Sequence, residues 1–264
     1  MANRKIAKDF LNVTVQSVSS EASPFAKENM IDRTSPQKHW RTSATTEQNV
    51  VIDLGADMSA VSVYLDWVNF TTVKYQDSAS AGGPWADVTG NLSVEKDPMH
   101  GVYRRRDELT LTSKRYLRIL IPAQTPADGA AYFRIGTLAF PTSVTELDAE
   151  TTVEYPFEVT LPESHIVENR FPGGKTEKIR LGQLQPMVIS FALRTEAMQN
   201  LKGAQIAEIA ELMRDTTGVM YLDFNLGESW QSYLVKKAGD LRATLSAPAV
   251  STADFGTVLF EVIV

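Results

Sequence analysis

Cysteine is absent from all 264 residues. That excludes a disulfide framework, a thiolate metal site and a cysteine nucleophile. Histidine is scarce. His39, His100 and His165 stand far apart, and none belongs to a His-x-x-x-His pair. A zinc site would need ligands gathered by the fold alone, so each histidine reads as a lone surface or turn residue. No stretch approaches the roughly 18 apolar residues of a membrane-spanning helix. Residues 1–12 mix charged and apolar side chains without an apolar centre, so no signal peptide is expected there. An excess of positive charge is missing too. The net charge is −6, which favours solubility and argues against a general nucleic-acid binder. There is no Gly-x-Ser-x-Gly elbow, and no carboxylate pair stands out as an acid/base couple. No catalytic activity is expected, and neither is a required cofactor or metal.

What is present is enough to build a core. Apolar residues make up 43% of the chain, near the globular average. Residues 13–142 read as short strands with polar punctuation. In "VSVYLDWV", Val61, Val63, Leu65 and Trp67 fall on one side and Tyr64 on the other. In "RYLRILI", Leu117, Ile119 and Ile121 alternate with Tyr116, Arg118 and Leu120. Period-two alternation with turns every ten or so residues predicts a β-sandwich. One short turn is expected around "SPFAKENMID", and "SAGGPW" is a Gly-Pro turn.

Residues 143–152 are polar, follow a proline and form the expected linker. Residues 1–12 are then an N-terminal arm, and residues 153–264 a second β domain. In that domain "TVEYPFEVTL", "EKIRL", "MVISFALR" and four later segments alternate as strands. One helix is expected, from about Glu196 to Thr217. Ile206, Ile209, Ala210 and Met213 form its apolar stripe, with Thr195 capping its start and Gly218 ending it. "FPGGKTEKIRL" lacks the first glycine of a phosphate loop, because Asn169 occupies that position. A strand pattern follows it, so Gly173 and Gly174 are read as a hairpin turn.

Positive charge is densest in "YRRRDEL". In an extended strand Arg104 and Arg106 share one face and Arg105 takes the other. The preferred reading is a solvated edge strand whose charges discourage aggregation. Trp67, Trp85 and Trp230 lie in or beside strands and are expected in a core or an interface.

"SVSSEAS", "NMIDRTSPQKHW", "VVIDLG", "VKYQDSASAGGPWADV" and "KRYLRILI" follow one another in the order of a known pattern. In these pieces the first half resembles the discoidin (coagulation factor type C) family, a galactose-binding-like jelly roll. The pattern spans roughly Val13 to Phe140. One departure is Arg33, where the family has glycine in the turn. The resemblance implies that Trp40 is a partly buried anchor beneath the loop-bearing end, and that Asp53 and Gly55 end a strand. It also implies sugar or headgroup binding, or plain adhesion. A glycan or partner site would lie on the loops around His39, Trp40, Arg41 and Arg104, Arg105, Arg106, which offer aromatic surface and fork-shaped donors. Calcium stays open, because Asp32 and nearby carbonyls could supply oxygen ligands.

The second half, in "GQLQPMVISFALR", a helix and "GVMYLDF", resembles the tail-tube-like domain of long-tailed phage proteins, including the distal tail protein. The resemblance implies a structural virion component at the tail tip or baseplate, made in the host cytoplasm. Its partners would be its own copies in a hexameric ring, the tail tube, tape measure and hub or receptor-binding proteins, and a host surface glycan. The ring is also argued from the terminal strand "TVLFEVIV", which is apolar on both faces and needs cover. The alternative is a carbohydrate-binding, lectin-like protein.

Overall fold

The structure is a computed structural model. It describes residues 4–33, 38–98, 101–142, 144–147, 158–160, 164–170, 176–183, 188–192, 218–223, 228–229, 231–238, 244–245, 253–254 and 257–262. Side-chain surroundings are described within residues 5–144 and 218–236. The chain is mainly β, with β-sandwich sheets. It divides into two compact units. One comprises Ala2–Glu146 with Val219–Leu234, the other Leu147–Gly218 with Val235–Val264.

This division differs from the sequence expectation in two places. Most of the described part of the expected N-terminal arm is built into sheets. The strand Arg4–Ala7 pairs with Met220–Asp223, and Asp9–Phe10 pairs with Pro141–Thr142. Residues 219–234, read as part of the second domain, belong to the first unit.

The main sheet of the first unit is antiparallel. Its order is Thr137–Ala139, Gln48–Val68, Tyr103–Ile121, Thr72–Ser78, Ala86–Asp87, with Thr14–Val18 also on Gln48–Val68. Alternation places Val50, Ile52 and Leu54, with Leu117, Ile119 and Ile121, on one buried face. Val73 and Tyr75 continue that core on the next strand. The expected turn near residue 27 is a 3-10 helix, Lys27–Ile31, whose Met30 enters the same core.

The two central strands are longer than the sequence suggests. Asp53 and Gly55 do not end a strand. Gln48–Val68 runs through them without a break. Gly55 takes φ +83°, and its N–H donates to Asp53 Oδ1 at 2.8 Å. Across the sheet Ser113 has φ +56°, and the register shifts on either side of Lys114. The pairing is therefore irregular between Met58 and Asp53 and resumes at Tyr116 opposite Asp53. Arg115 braces this irregularity with two hydrogen bonds to Asp53, at 2.7 and 2.8 Å. These bonds hold the Asp53 carboxyl below its usual range.

A second irregularity lies at the other end. Leu65 pairs with Arg105 and Val68 with Tyr103, so Asp66 and Trp67 together oppose Arg104. Two residues against one is a β-bulge, and Trp67 carries its left-handed φ of +56°. Trp67 therefore leaves the core side predicted for it, and Val68 fills the core position.

The strand Tyr103–Ile121 is central, not an edge. Its arginines are accordingly not the solvated charges expected. Tyr221, Ser229 and Ser232 lie against the sheet face that carries Tyr64, Arg104 and Arg106. Tyr64 packs edge-on against Tyr221 at 5.7 Å, and its hydroxyl donates to the Ser232 carbonyl at 3.0 Å. The Arg106 N–H donates to the Ser229 carbonyl at 3.0 Å. Arg104 is 1% exposed, between the buried carboxylates of Asp66 (3.2 Å) and Asp97 (3.6 Å). Burial disfavours its charge, but Asp66, Tyr64, Asp97 and Tyr233 together outweigh burial and hold the guanidinium above its ordinary value.

In the second unit, Ser164–Arg170 and Thr176–Gln183 form an antiparallel hairpin with Val167 opposite Ile179. The strands on either side of the expected Gly173–Gly174 turn are thus paired, as the hairpin reading requires; residues 171–175 themselves lie outside the described residues. Thr257–Val262 lies between Val188–Ala192 and residues 235–238, and Glu158–Thr160 continues the sheet beyond Val188–Ala192. With both edges paired, the terminal strand needs no neighbouring subunit to satisfy its backbone; the cover of its two apolar faces, from which the ring was argued, lies outside the described side chains. The expected helix at Glu196–Thr217, His100, Trp230 and the His165 side chain lie outside the described residues.

Candidate ligand-binding site

Near the 3-10 helix, two short strands pair antiparallel, Arg41 opposite Arg134 and Trp40 opposite Ile135. Alternation sorts their side chains. Trp40, Phe133 and Ile135 are all 0% exposed and enter the core. Arg41 and Arg134 take the other face and are partly exposed. Trp40 is thus more deeply buried than the resemblance implied. Its indole N–H donates to the Ser20 carbonyl at 3.2 Å. The Ser20 hydroxyl donates to Gln48 Oε1 and accepts from the Ser43 N–H. A tryptophan in a Ser/Thr-rich stretch is explained here: the serines cap the polar edge of a ring whose body is core. Burial of such a ring contributes about 3 kcal/mol. Thr42 ties the strands together, exchanging hydrogen bonds with Phe133, 91 positions away.

Outside this anchor the side chains stack. The His39 and Phe25 rings lie 4.7 Å apart at 22°. The Arg41 guanidinium sits 4.5 Å from the Phe25 centroid and 3.4 Å from that of Tyr132. Cations over aromatic faces are held by the ring quadrupole, by about 0.5–2 kcal/mol each depending on desolvation. Among the described residues, no carboxylate pairs with Arg41. Arg134 lies beside it, 3.1 Å from Asp128 and 5.6 Å from the ring of the bulged Trp67. The Nε atoms of both arginines are buried without a hydrogen-bond partner.

Next to the arginines opens a cleft of about 240 Å³, lined by Asn69, Lys96, Tyr103, Asp128 and Arg134. Asn69 holds its wall. Its amide donates to Asp128 Oδ1 at 3.0 Å and to the Tyr132 carbonyl at 2.9 Å, and its oxygen accepts from the Arg134 N–H at 2.8 Å. All three bonds fix the loop that carries Tyr132 and Arg134, so the site is preformed.

Of the residues predicted to form a site, His39 and Arg41 meet here, with Trp40 as the buried anchor. Arg104, Arg105 and Arg106 do not join them. Arg104 is sealed in its ion-pair cluster. Arg105 grips Asp107 at 2.6 and 2.7 Å and also bonds the Ser93 carbonyl. Arg106 pairs with Asp223. Each guanidinium is consumed by the fold, because the strand that carries them is central and covered. Phe25, Asn69, Asp128, Tyr132 and Arg134 were not legible as site residues. Only the alternation of Tyr132 and Arg134 about Phe133 offered a hint. Asp32, the calcium candidate, pairs with Lys38 at 3.3 Å. Arg33 lies 4.4 Å over Phe10, and burial lowers its pKa. Among the described residues, no three His, Asp or Glu side chains gather as a metal-binding group.

No protein-family model matches the chain, and no curated protein matches it. Solved structures do match, each over about half of this chain. Chitosan-binding module 1 from a chitosanase/glucanase of Paenibacillus sp. IK-5 is 19% identical over 50% of this chain and 96% of its own, with TM-score 0.37. The CBM32-5 module from Clostridium perfringens, in complex with GalNAc-β-1,3-galactose, is 12% identical over 51% and 100%, with TM-score 0.41. XRCC1, bound to the DNA pol beta catalytic domain, is 18% identical over 51% and 99%, with TM-score 0.41. Likeness at this level assigns no ligand to this chain.

Proposed function

We propose that the first unit is a carbohydrate-binding module and that the protein acts as a lectin-like adhesion component. The observation that carries this reading is the preformed site itself. It combines a His39–Phe25–Arg41–Tyr132 stack with a neighbouring cleft that holds a few convergent polar groups. Aromatic surface suits the C–H face of a sugar ring, while guanidinium forks and Asn69–Asp128 suit hydroxyl groups. The neighbouring modules named for chitosan or in complex with a galactoside agree with the reading. A glycan array with the full chain tests it. Binding to at least one glycan is expected, lost in Arg41→Ala and in Tyr132→Ala and kept in Lys74→Ala, which alters the strand Thr72–Ser78. Absence of binding across the array would reject the proposal.

A place on a phage tail tip, with the second unit as a hexameric ring, rests on the sequence texture of residues 153–264. No feature of the described residues favours it. Mass photometry at micromolar concentration decides: a hexamer restores that reading, and a monomer removes it.

A further inference from the structure

We infer that the ligand of this site is an anionic saccharide, one that bears a carboxylate or a sulfate; the inference rests on the carbohydrate reading above. Arg41 and Arg134 are directly opposed on paired antiparallel strands. Directly opposed residues hold their Cβ atoms about 5 Å apart, and like charges there repel. A fold that only needed to close this end of the sandwich gains nothing from two cations at that spacing. Among the described residues only one of them has a carboxylate partner, Arg134 with Asp128. Arg41 leans on Phe25 and Tyr132, which hold a cation without cancelling its charge. The exposed Lys96 lines the adjoining cleft, and no ion pair with it occurs among the described residues.

The local balance is therefore three cations, Arg41, Arg134 and Lys96, against the single carboxylate of Asp128. The chain as a whole carries −6, so this excess is not the overflow of a basic protein. A bound anion would relieve the repulsion between the opposed guanidinium groups, and it could bridge them with charge-assisted hydrogen bonds. The rings of Tyr132 and Tyr103 beside those cations add the apolar surface that a bare phosphate does not need and a sugar ring does. Two cations lining a compact cleft, Lys96 and Arg134, with Arg41 beside Arg134 on the paired strand, also suit a single charged residue of a glycan better than a long polyanion.

The test is titration calorimetry on the full chain at about 150 mM salt, where long-range attraction is screened beyond about 8 Å. The probes are oligomers of galacturonate, mannuronate and glucuronate, the methyl esters of the same oligomers, a sulfated galactan oligomer, and neutral galacto- and gluco-oligosaccharides. At least one acidic oligomer is expected to bind, with its ester or its unsulfated form weaker by about tenfold to a hundredfold, the worth of a charge-assisted hydrogen bond. Arg41→Gln and Arg134→Gln, checked for native circular dichroism, should erase that difference. Preference for a uronate over the sulfated oligomer would identify a carboxylate as the recognised group, and the reverse a sulfate; either supports the inference. Equal binding of acid and ester, or binding of neutral sugars alone, overturns the anionic inference and leaves the carbohydrate reading intact. No binding to any oligosaccharide overturns both. Binding to phosphatidylserine vesicles in place of sugars overturns both as well, and assigns the same cations to a membrane headgroup.

Discussion

The Arg104 cluster offers the sharpest test of how the first unit is held together. Its guanidinium is 1% exposed, and its partners Asp66 and Asp97 are 3% and 0% exposed. It also donates to the Ser232 carbonyl at 3.3 Å and lies 4.7 Å from the Tyr233 ring. Arg104→Met keeps the apolar stem and removes the charge. Two carboxylates are then left buried without their cation, and breaking a buried pair in this way costs about 3–5 kcal/mol. A second variant joins Asp66→Asn and Asp97→Asn to Arg104→Met. It removes the stranded charges and should recover most of the loss, because a buried ion cluster and a neutral replacement are often nearly equal in stability. The three described tryptophans, Trp40, Trp67 and Trp85, all belong to this unit, so tryptophan fluorescence reports on its unfolding. With a urea m-value of about 2 kcal/mol per molar, the single variant should lower the midpoint by about 2 M. The corresponding fall in melting temperature is about 10 °C. A loss under about 1 kcal/mol, the scale of an exposed pair, would refute the buried-cluster account. So would a triple variant as unstable as the single one.

Gly55→Ala should destabilise the first unit by about 1–2 kcal/mol through backbone strain alone, since φ is +83° and the nearest atom to an added Cβ is the Asn12 carbonyl oxygen at 4.0 Å. A neutral result in urea unfolding would show that this position tolerates a side chain. The phenols of Tyr64 and Tyr75 are raised well above their ordinary value of 10.0 by burial, and those of Tyr221 and Tyr233 are raised by burial too. A proton held more tightly in the folded state than in the unfolded chain makes stability complete below pH 10 and progressively lost above it. Ultraviolet phenolate titration should find these four of the eight tyrosines ionising only with unfolding; all eight titrating together near 10 would contradict their burial.

The sequence by itself determined the strands and, where they alternate, which of their faces are core. Leu117, Ile119 and Ile121 stand where period-two alternation puts them, because the pleat forces neighbouring side chains to opposite sides; the apolar run that holds Val50, Ile52 and Leu54 was legible as a strand but not as a face. It determined the hairpin at residues 164–183 as well, since a glycine pair between alternating runs has few other uses. His39 and Arg41 were legible as candidates from their loop, and the structure stacks both on Phe25. Their partners were not, because Arg134 reaches Arg41 through a strand pairing that leaves no periodic trace in either segment.

Only the tertiary structure decided what covers the other face of the sheet. Tyr64 and Arg104 alternate like surface residues, and a local pattern shows which side of a strand they occupy but not whether that side meets water. Ser232, 168 positions from Tyr64 and 128 from Arg104, accepts a hydrogen bond from each, and the strand Met220–Asp223 pairs with Arg4–Ala7. The bulge at Trp67 was likewise decided by register. An extra residue against Arg104 puts Val68, not Trp67, on the core side. A period counts residues in one strand, whereas a bulge is a mismatch between two.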